Sequence, residues 1–403
     1  MSATSIPSDE QRRQLPAADV WDGPPVVLVH DWIGGVNGAE RVLKELATLF
    51  PKAPILALMA DRRVLPALGI ESSRVHESYL GRVPRAIALR KMLLPWFADA
   101  VQTLDVGDAS LIVSSSHAVA KAVPHRSYQR HLAYVYSPMR YAHDLLPQYL
   151  QEVPAVMRPW FRGVLRKLAT WDVATAQRVA RYVGISRAVA ERIWRTYRRR
   201  AAVVHPPVDV DAIPIGSARS DDYYIVVSRL APYKRIDLAI RAVAQLGRRL
   251  IVVGDGPERR NLEAVARAAS AVGAIDFTGR VAEAEKFRLL AGARALLFPG
   301  EEDFGIVGVE ALATGVPIVA LGRGGMLDIV GGTRTLLAPG AVRAPGGVLV
   351  GEQTADAMAQ GIKALEGQPL NDRAAYRELA SRFSTPRFRR RMLVLARRTL
   401  ELA

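Results

Sequence analysis

The chain has 403 residues, of which 50% are hydrophobic and 23% charged, and it contains no cysteine. Because a domain usually holds roughly 100–200 residues, this length predicts two domains. The lack of cysteine excludes disulfide scaffolds, iron–sulfur clusters and a cysteine nucleophile. No apolar run approaches the roughly 18 residues of a membrane-spanning helix. Residues 1–23 are polar, without the apolar core of a signal peptide, and are predicted to form a flexible tail.

The formal net charge is +16, and basic residues cluster between positions 158 and 200. Such a cluster suits an anionic partner, which could be a phosphorylated lipid, a membrane surface or a nucleic acid. The alternative is a generally arginine-rich composition, because only eight of the 55 basic residues are lysine.

Short apolar runs alternate with amphipathic stretches, which indicates βα units and parallel sheets. The first unit is a strand over residues 25–30, a glycine-rich turn, and a helix over residues 39–50 that ends before Pro51. Further strands of the first half are predicted at residues 55–59, 111–113, 132–136 and 182–185.

Residues 205–222 are rich in Pro, Gly, Ser and Asp and are predicted to be a linker. A second series of strands follows, at residues 223–227, 250–253, 275–277, 296–298 and 318–320. The sequence therefore predicts an α/β protein with two Rossmann-like domains, whose parallel sheets face a central cleft. The expected parts are a tail at 1–23, domains at 24–204 and 223–385 joined by the linker, and a basic helix at 386–403 that packs back on the first domain.

The most informative local pattern follows the strand at residues 223–227. Arg229 and Lys234 lie between this strand and a predicted helix, so both cations and the helix dipole would face one place. This arrangement suits a diphosphate. A solvated basic turn is the alternative.

A second turn, Gly254-Asp255-Gly256-Pro257, joins a strand to a helix. Its glycines allow a ligand to approach the backbone closely. The third glycine of the G-x-G-x-x-G pattern is missing, which disfavours a nicotinamide dinucleotide.

Glu302 and Glu310 follow the strand at 296–298, eight positions apart. A helical segment between them would place the two carboxylates at different heights of one site, where they would bind hydroxyl groups of a sugar or ribose. Gly305 would expose backbone N–H groups to the ligand. The alternative is an ordinary acidic helix start.

These stretches, in this order, resemble the donor-binding half of retaining glycosyltransferases of family 4, which have the GT-B fold. The resemblance covers about residues 223–330 and rests on S-R-L-A-P-Y-K-R, V-V-G-D-G-P, F-T-G-R and the two glutamates. It implies that Arg229 and Lys234 hold the donor diphosphate. Glu302 and the backbone of Phe304, Gly305 and Ile306 would hold the sugar, and Glu310 the ribose.

The first half resembles a narrower branch, the bacterial mannosyltransferases of O-antigen and exopolysaccharide assembly. The matching residues are His30-Asp31-Trp32, the loop at 34–40, and the segments 114–121, 136–141 and 351–354. This branch implies GDP-mannose as the donor, with His117 reaching the sugar and Gly34 and Gly35 near the donor phosphates or the acceptor. A structural histidine and an ordinary turn are the alternatives.

No cofactor or metal is expected, since the D-x-D pattern of Asp209 and Asp211 falls in the linker. Basic residues are interleaved with apolar ones at 82–96 and 158–167, which suits an anionic membrane surface. The alternative is that the apolar residues pack inward and the arginines are solvated.

The sequence thus predicts a hexosyltransferase that acts on a lipid-linked or polysaccharide acceptor in cell-envelope glycan synthesis. It would be cytoplasmic, on the inner face of the plasma membrane, with no nucleic-acid partner. The alternatives are a nucleotide-sugar epimerase of the same fold and a basic nucleic-acid-binding protein.

Overall fold

The computed structural model describes residues 20–143, 146, 150, 153–216, 223–269, 271, 273–332, 340–367 and 373–402. Most of the predicted tail and the end of the predicted linker lie outside these residues. The chain divides into two compact units. The first contains the described residues up to Gly184, Ala190–Val204 and the C-terminal helix from Pro386; the second contains Ile185–Val189 and His205–Thr385.

The first unit is built on a seven-stranded parallel sheet. Its strands are β1 (Val26–His30), β2 (Ile55–Ala57), β3 (Val75–Glu77), β4 (Leu111–Ser116), β5 (Arg130–Val135), β6 (Arg181–Gly184) and β7 (Ala201–Val203), in the spatial order β3-β2-β1-β4-β5-β6-β7. The strands are short and mostly buried on both faces, as expected for a parallel sheet covered by helices.

The helices of this unit, among the described residues, each bury some of their apolar side chains. They are α1 (Gly38–Leu49), α2 (Leu65–Leu68), α3 (Ala86–Leu89), α4 (Phe97–Gln102), α5 (Arg158–Thr175) and α6 (Arg187–Tyr197). The C-terminal helix, Thr385–Leu400, also contacts this unit: Phe388 packs edge-on against Tyr134 at 5.7 Å, and Arg389 forms an ion pair with Glu45 at 2.6 Å.

The second unit contains another seven-stranded sheet, of order β10-β9-β8-β11-β12-β14-β13, in which only β13 is antiparallel. Its strands are β8 (Tyr223–Val227), β9 (Arg249–Val253), β10 (Ile275–Gly279), β11 (Leu296–Phe298), β12 (Ile318–Leu321), β13 (Ala341–Ala344) and β14 (Gly347–Val350). Its helices are α7 (Ile236–Gln245), α8 (Arg259–Ala268), α9 (Glu283–Gly292), α10 (Ile306–Ala313), α11 (Met326–Val330), α12 (Ala355–Glu366) and α13 (Arg373–Ser381), and the C-terminal helix is α14.

The predicted α/β fold class with two Rossmann-like domains is confirmed, because each unit is built on its own seven-stranded, parallel or almost entirely parallel sheet. Every strand predicted from an apolar run is present. Four strands were not predicted: β3, β7, β13 and β14. Three of them, β3, β7 and β13, are partly exposed. Each has only three or four residues, which is too short to show a periodic pattern of apolar residues.

Candidate functional site

The strand order of the second sheet reverses between β8 and β11. From β8 the chain moves outward to β9 and β10, and it then crosses back to β11 and continues to β12. The loops that leave two such strands diverge, which creates a crevice at the carboxyl edge of the sheet. The segment that follows β8 and the segment that follows β11 therefore form the two walls of a candidate ligand site.

Lys234 and Glu302 meet in this crevice. Lys234 ends a short turn, Pro232–Lys234, and its Nζ donates a hydrogen bond to Oε1 of Glu302. The two side chains are only 14% and 20% exposed. Both line one pocket, together with residues 226–228, Ile236 and 297–300. The structure thus places a cation and a carboxylate from opposite walls in one half-buried site.

Helix starts adjoin both charged residues. Helix α7 begins at Ile236, two residues after Lys234, and helix α10 begins at Ile306, four residues after Glu302. The residue before α10, Gly305, has a positive φ of 97°, a conformation that favours glycine. The first N–H groups of a helix have no partner within it, and they carry partial positive charge. This edge of the sheet therefore favours an anionic ligand.

Glycines allow the loops that follow three neighbouring strands to pack closely against one another. Gly254, after β9, has a φ of 130°, and a β-carbon there would lie 1.8 Å from the carbonyl oxygen of Ser228. A β-carbon at Gly300, after β11, would lie 2.9 Å from the carbonyl oxygen of Lys234. Arg229 lies exposed in the loop between these contacts. The backbone of the Arg229–Lys234 loop is therefore fixed from both sides.

Asp255 acts within its own turn. Its backbone carbonyl accepts a hydrogen bond from Leu230 at 3.1 Å, and its side chain accepts one from the N–H of Gly256 at 2.8 Å. These contacts join the turn after β9 to the loop after β8. A direct role in donor binding stays a prediction.

The arrangement of the two glutamates differs from the expectation. The sequence analysis placed a helical segment between Glu302 and Glu310, but helix α10 begins only at Ile306, and Glu302 lies in the preceding loop. The loop is bent by Gly305, so helical periodicity does not relate the two carboxylates. Glu310 is 5% exposed and accepts a hydrogen bond from Nζ of Lys286 at 2.9 Å.

Lys286 was not singled out from the sequence. It belongs to helix α9 and is 17% exposed. It sits 24 residues before its partner, in a charged helix like many others, and only the packing of α9 beside α10 brings its side chain to Glu310. The two glutamates thus have separate lysine partners.

The loop after β11 is anchored by the packing of aromatic rings. The buried ring of Phe304 stacks on His205 at 5.6 Å and meets Phe383 edge-on at 5.7 Å. The N–H of Gly325 donates to the carbonyl of Glu302 at 2.8 Å. The Phe304 side chain thus anchors the loop by packing and is not available to a ligand. Any contact of Phe304 with a ligand would be made by its backbone.

The first sheet reverses its strand order between β1 and β4. Asp31 follows β1, and His117 follows β4. The Asp31 carboxylate is fully buried and accepts hydrogen bonds from four backbone N–H groups, of residues 117–120, at 2.6–2.9 Å. Nδ1 of His117 lies 3.3 Å from Oδ2 of Asp31. Burial alone would raise the pKa of Asp31, but His117 and these N–H groups outweigh it and lower the pKa.

The glycine loop after β1 contacts the same edge. The N–H of Gly34 donates to Oε1 of Glu40 at 3.2 Å, and a β-carbon at Gly35 would lie 2.8 Å from Nδ2 of Asn37. Tyr136, after β5, donates through its hydroxyl to the carbonyl of Ala39 at 3.0 Å. The predicted site residues of the first half, His117, Gly34 and Gly35, therefore share one edge of the first sheet.

Within the described residues, no group of three or more histidine, aspartate or glutamate side chains is arranged to hold a metal ion. Asp209 precedes a short turn, Val210–Ala212, and Asp211 lies within it, in the second unit. In the same part of the chain, no helix is both long and apolar enough to cross a membrane.

The second unit is similar in sequence to a known family. Residues 211–383, which contain all of the second-unit site, match the sequence model of the family described as glycosyl transferases group 1. The fold agrees across nearly the whole chain. The structure of Anabaena HepE in complex with UDP superposes with a TM-score of 0.65 at 17% identity, covering 92% of this chain and 99% of that one. Sucrose-phosphate synthase from Thermosynechococcus elongatus gives 0.66 at 18% identity, covering 94% and 100%.

Two curated relatives are more similar in sequence over shorter stretches. The chain is 37% identical over 128 residues to 2-deoxystreptamine glucosyltransferase of Streptomyces kanamyceticus, which covers 30% of this chain and 32% of the relative. It is 33% identical over 158 residues to D-inositol 3-phosphate glycosyltransferase of Mycolicibacterium paratuberculosis, covering 34% and 36%. The chain thus spans about a third of the length of the curated relatives that it matches.

Proposed function

We propose that this protein is a glycosyltransferase that moves a hexose from a nucleoside-diphosphate donor to a saccharide acceptor. The observation that carries the proposal is the Lys234–Glu302 pair, which brings a cation and a carboxylate together at the strand-order reversal of the second sheet. It supports the proposal because a cation suits a diphosphate and a carboxylate suits sugar hydroxyls. The match of residues 211–383 to glycosyl transferases group 1 supports it.

The leaving group of the reaction is a nucleoside diphosphate, and negative charge grows on it as the glycosidic bond to phosphate breaks. Lys234, Arg229 and the start of helix α7 supply positive charge beside one loop. Fixed charges of this kind stabilise the transition state more than the ground state, because they need no reorganisation during the reaction. Glu302 accepts hydrogen bonds from sugar hydroxyls when Lys234 turns to the phosphate, and Glu310 binds the ribose.

We propose GDP-mannose as the donor, on the resemblance of the first half to bacterial mannosyltransferases. A specific observation favours a second donor class: the relative from Streptomyces is named a glucosyltransferase, and HepE was solved in complex with UDP and with UDP-glucose. A UDP-hexose is therefore the competing donor.

We propose that transfer retains the anomeric configuration and proceeds on one face of the sugar. The bond from C1 to the phosphate oxygen breaks, the acceptor hydroxyl attacks C1 from the same side, and its proton passes to the departing phosphate. Asp31, a carboxylate at the strand-order reversal of the first sheet, is buried and held by four N–H groups. That position makes it unsuitable as a nucleophile.

The acceptor that we propose is a lipid-linked or polysaccharide saccharide at the inner face of the plasma membrane, in cell-envelope glycan synthesis. A surface of the first unit supports membrane contact. Exposed apolar side chains at Met92, Trp96, Val156 and Trp160, which are 70%, 48%, 88% and 54% exposed, lie among exposed arginines and lysines.

The two segments that carry these side chains, residues 82–96 and 154–167, adjoin each other, because the turn Leu94–Trp96 contacts helix α5. We call them the basic apolar surface. Apolar side chains surrounded by cations bind the interface of an anionic bilayer through both burial and charge.

Calorimetric titration of the full chain with GDP, UDP, ADP and dTDP tests the donor site. We expect selective binding of GDP, weakened at least 10-fold in Lys234→Ala. Preference for UDP would retain the glycosyltransferase and replace mannose by the second donor class.

Incubation with the preferred nucleotide sugar and membrane lipid extract then separates transfer from epimerisation. Transfer needs the acceptor, whereas an epimerase changes the donor alone. A folded protein that binds no nucleotide would overturn the proposal, and a trapped covalent glycosyl-enzyme would overturn the one-face mechanism.

A further inference from the structure

The Asp31 carboxylate contacts the side chain of His117 as well as the backbone of the turn after β4. Its two carboxylate oxygens accept hydrogen bonds from the backbone N–H groups of residues 117–120. These four bonds are sufficient to fix the backbone after β4. In addition, Oδ2 faces Nδ1 of His117 at 3.3 Å. Because this carboxylate stays ionised, it is an acceptor only, and the nitrogen that faces it is favoured as a donor.

The His117 ring is oriented by its other neighbours. Trp32 packs against it edge-on at 4.3 Å, and Tyr136 lies edge-on at 6.0 Å. The side chain nevertheless remains 30% exposed. Nδ1 faces the buried carboxylate, and Nε2 lies on the opposite side of the imidazole by covalent geometry. In a neutral histidine, a proton on one nitrogen leaves the other as an acceptor.

We propose that Asp31 is a positioning residue that keeps the proton of neutral His117 on Nδ1, so that Nε2 is presented as the acceptor for a hydroxyl group of the transferred sugar. The identity of that hydroxyl rests on the proposed function; the tautomer does not. Asp31 and His117 flank the strand-order reversal of the first sheet, as Lys234 and Glu302 flank that of the second. Such a reversal is where ligands bind in open α/β sheets.

The tautomer is measured directly by nitrogen-15 NMR of the full chain labelled at histidine, with His117 assigned by its absence in His117→Gln. We expect the neutral ring of His117 to be in the Nδ1-protonated form. The Nε2-protonated form would overturn the inference. This readout needs no substrate, so it stands or falls independently of the proposed activity.

Kinetics separate positioning from a merely structural role. We expect Asp31→Asn to lower kcat on the order of 100-fold, with little change in KM for the donor. Because Asp31 acts through His117, the double variant with His117→Gln should be no slower than His117→Gln alone. Losses that multiply would show that Asp31 acts independently of His117.

If Asp31→Asn does not fold, His117→Asn and His117→Gln decide between the two nitrogens. The asparagine amide occupies the place of Nδ1, and the glutamine amide that of Nε2. We expect the glutamine variant to keep more activity than the asparagine variant, because its amide oxygen can accept a hydrogen bond from a hydroxyl group. Higher activity in the asparagine variant would overturn the inference. If wild type transfers no sugar at all, the proposed function fails and the tautomer alone tests Asp31.

Discussion

Lys121 and Asp172 form a fully buried ion pair in the first unit, with Nζ and Oδ1 2.7 Å apart and side-chain exposures of 1% and 0%. His143 and the hydroxyl of Tyr197 also bind the carboxylate, at 2.9 Å and 2.7 Å. The pair joins the turn after β4, which carries His117, to helix α5. A buried charge that loses its partner is strongly destabilising, so this contact secures the turn that carries the candidate site.

Asp172→Asn is expected to destabilise the first unit by about 3–5 kcal/mol, because it leaves the Lys121 ammonium buried without a counter-charge. Urea unfolding followed by tryptophan fluorescence measures this unit selectively, since all six tryptophans lie in it. Asp108→Asn removes an exposed carboxylate that pairs with Arg126 and serves as the control. Equal stability of the two variants would contradict the prediction.

Acid should unfold the first unit in a way that depends on Asp172. Burial alone would raise the pKa of this carboxyl, but Lys121, His143 and Tyr197 outweigh burial and lower the pKa below its ordinary value of 3.8. The stabilisation is therefore complete above about pH 4 and is lost as the pH falls below that value through the folded pKa. We expect the free energy of unfolding to fall more steeply with acid in wild type than in Asp172→Asn, and parallel curves would contradict this.

Lys234→Ala should weaken nucleoside-diphosphate binding at least 10-fold and lower kcat by about 10²–10³, because it removes the cation that faces the leaving group. Arg241→Ala removes an equal charge from the exposed side of the adjacent helix α7 and is the matched control. Calorimetry and initial rates measure the two effects. An equal loss in both variants would point to net charge instead of a specific site.

Glu302→Gln should affect the binding of the diphosphate and the binding of the sugar in different ways. The carboxylate binds Lys234 in the free site, so its loss frees the lysine for the diphosphate while removing a ligand for the sugar. We expect nucleoside-diphosphate affinity to be equal or higher and transfer to fall at least 10-fold. Glu301→Gln, at the exposed neighbouring position, should behave as wild type. A loss of diphosphate affinity in Glu302→Gln would contradict this division of roles.

Gly254→Ala should destabilise the second unit by about 2–5 kcal/mol. The new methyl group would lie 1.8 Å from the carbonyl oxygen of Ser228, and the φ of 130° is strained for any side chain. Gly247 also has a positive φ, of 61°, but has open space around it, so Gly247→Ala should cost only about 1 kcal/mol. Hydrogen exchange resolved to the second unit compares them. Similar costs would show that the close approach to Ser228 does not matter.

The basic apolar surface should bind anionic vesicles. We expect Trp160→Ala to reduce binding to phosphatidylglycerol vesicles several-fold and to leave the negligible binding to phosphatidylcholine unchanged. Trp194→Ala removes a tryptophan of similar exposure, 46% against 54%, from helix α6, outside this surface, and is the control. Sedimentation with vesicles measures both, and equal effects would contradict a specific membrane surface.

The sequence by itself determined the local parts of this protein. Buried parallel strands are nearly continuous apolar runs, so β1, β8 and β9 were visible in the residues alone. Turn chemistry located Arg229 and Lys234 between a strand and a helix. Both signals depend on neighbours along the chain, and both were correct. The donor and sugar roles of these residues stay predictions.

Only the tertiary structure decided which distant residues meet. Lys234 and Glu302 are 68 positions apart and pair because β8 lies beside β11, an order that no local pattern encodes. The same holds for Asp31 with the turn after β4, and for Glu310 with Lys286. Periodicity assigns each segment its shape and its buried side. Strand order follows from how all the buried sides pack together, and it is this order that brings the charged ends of the strands into one site.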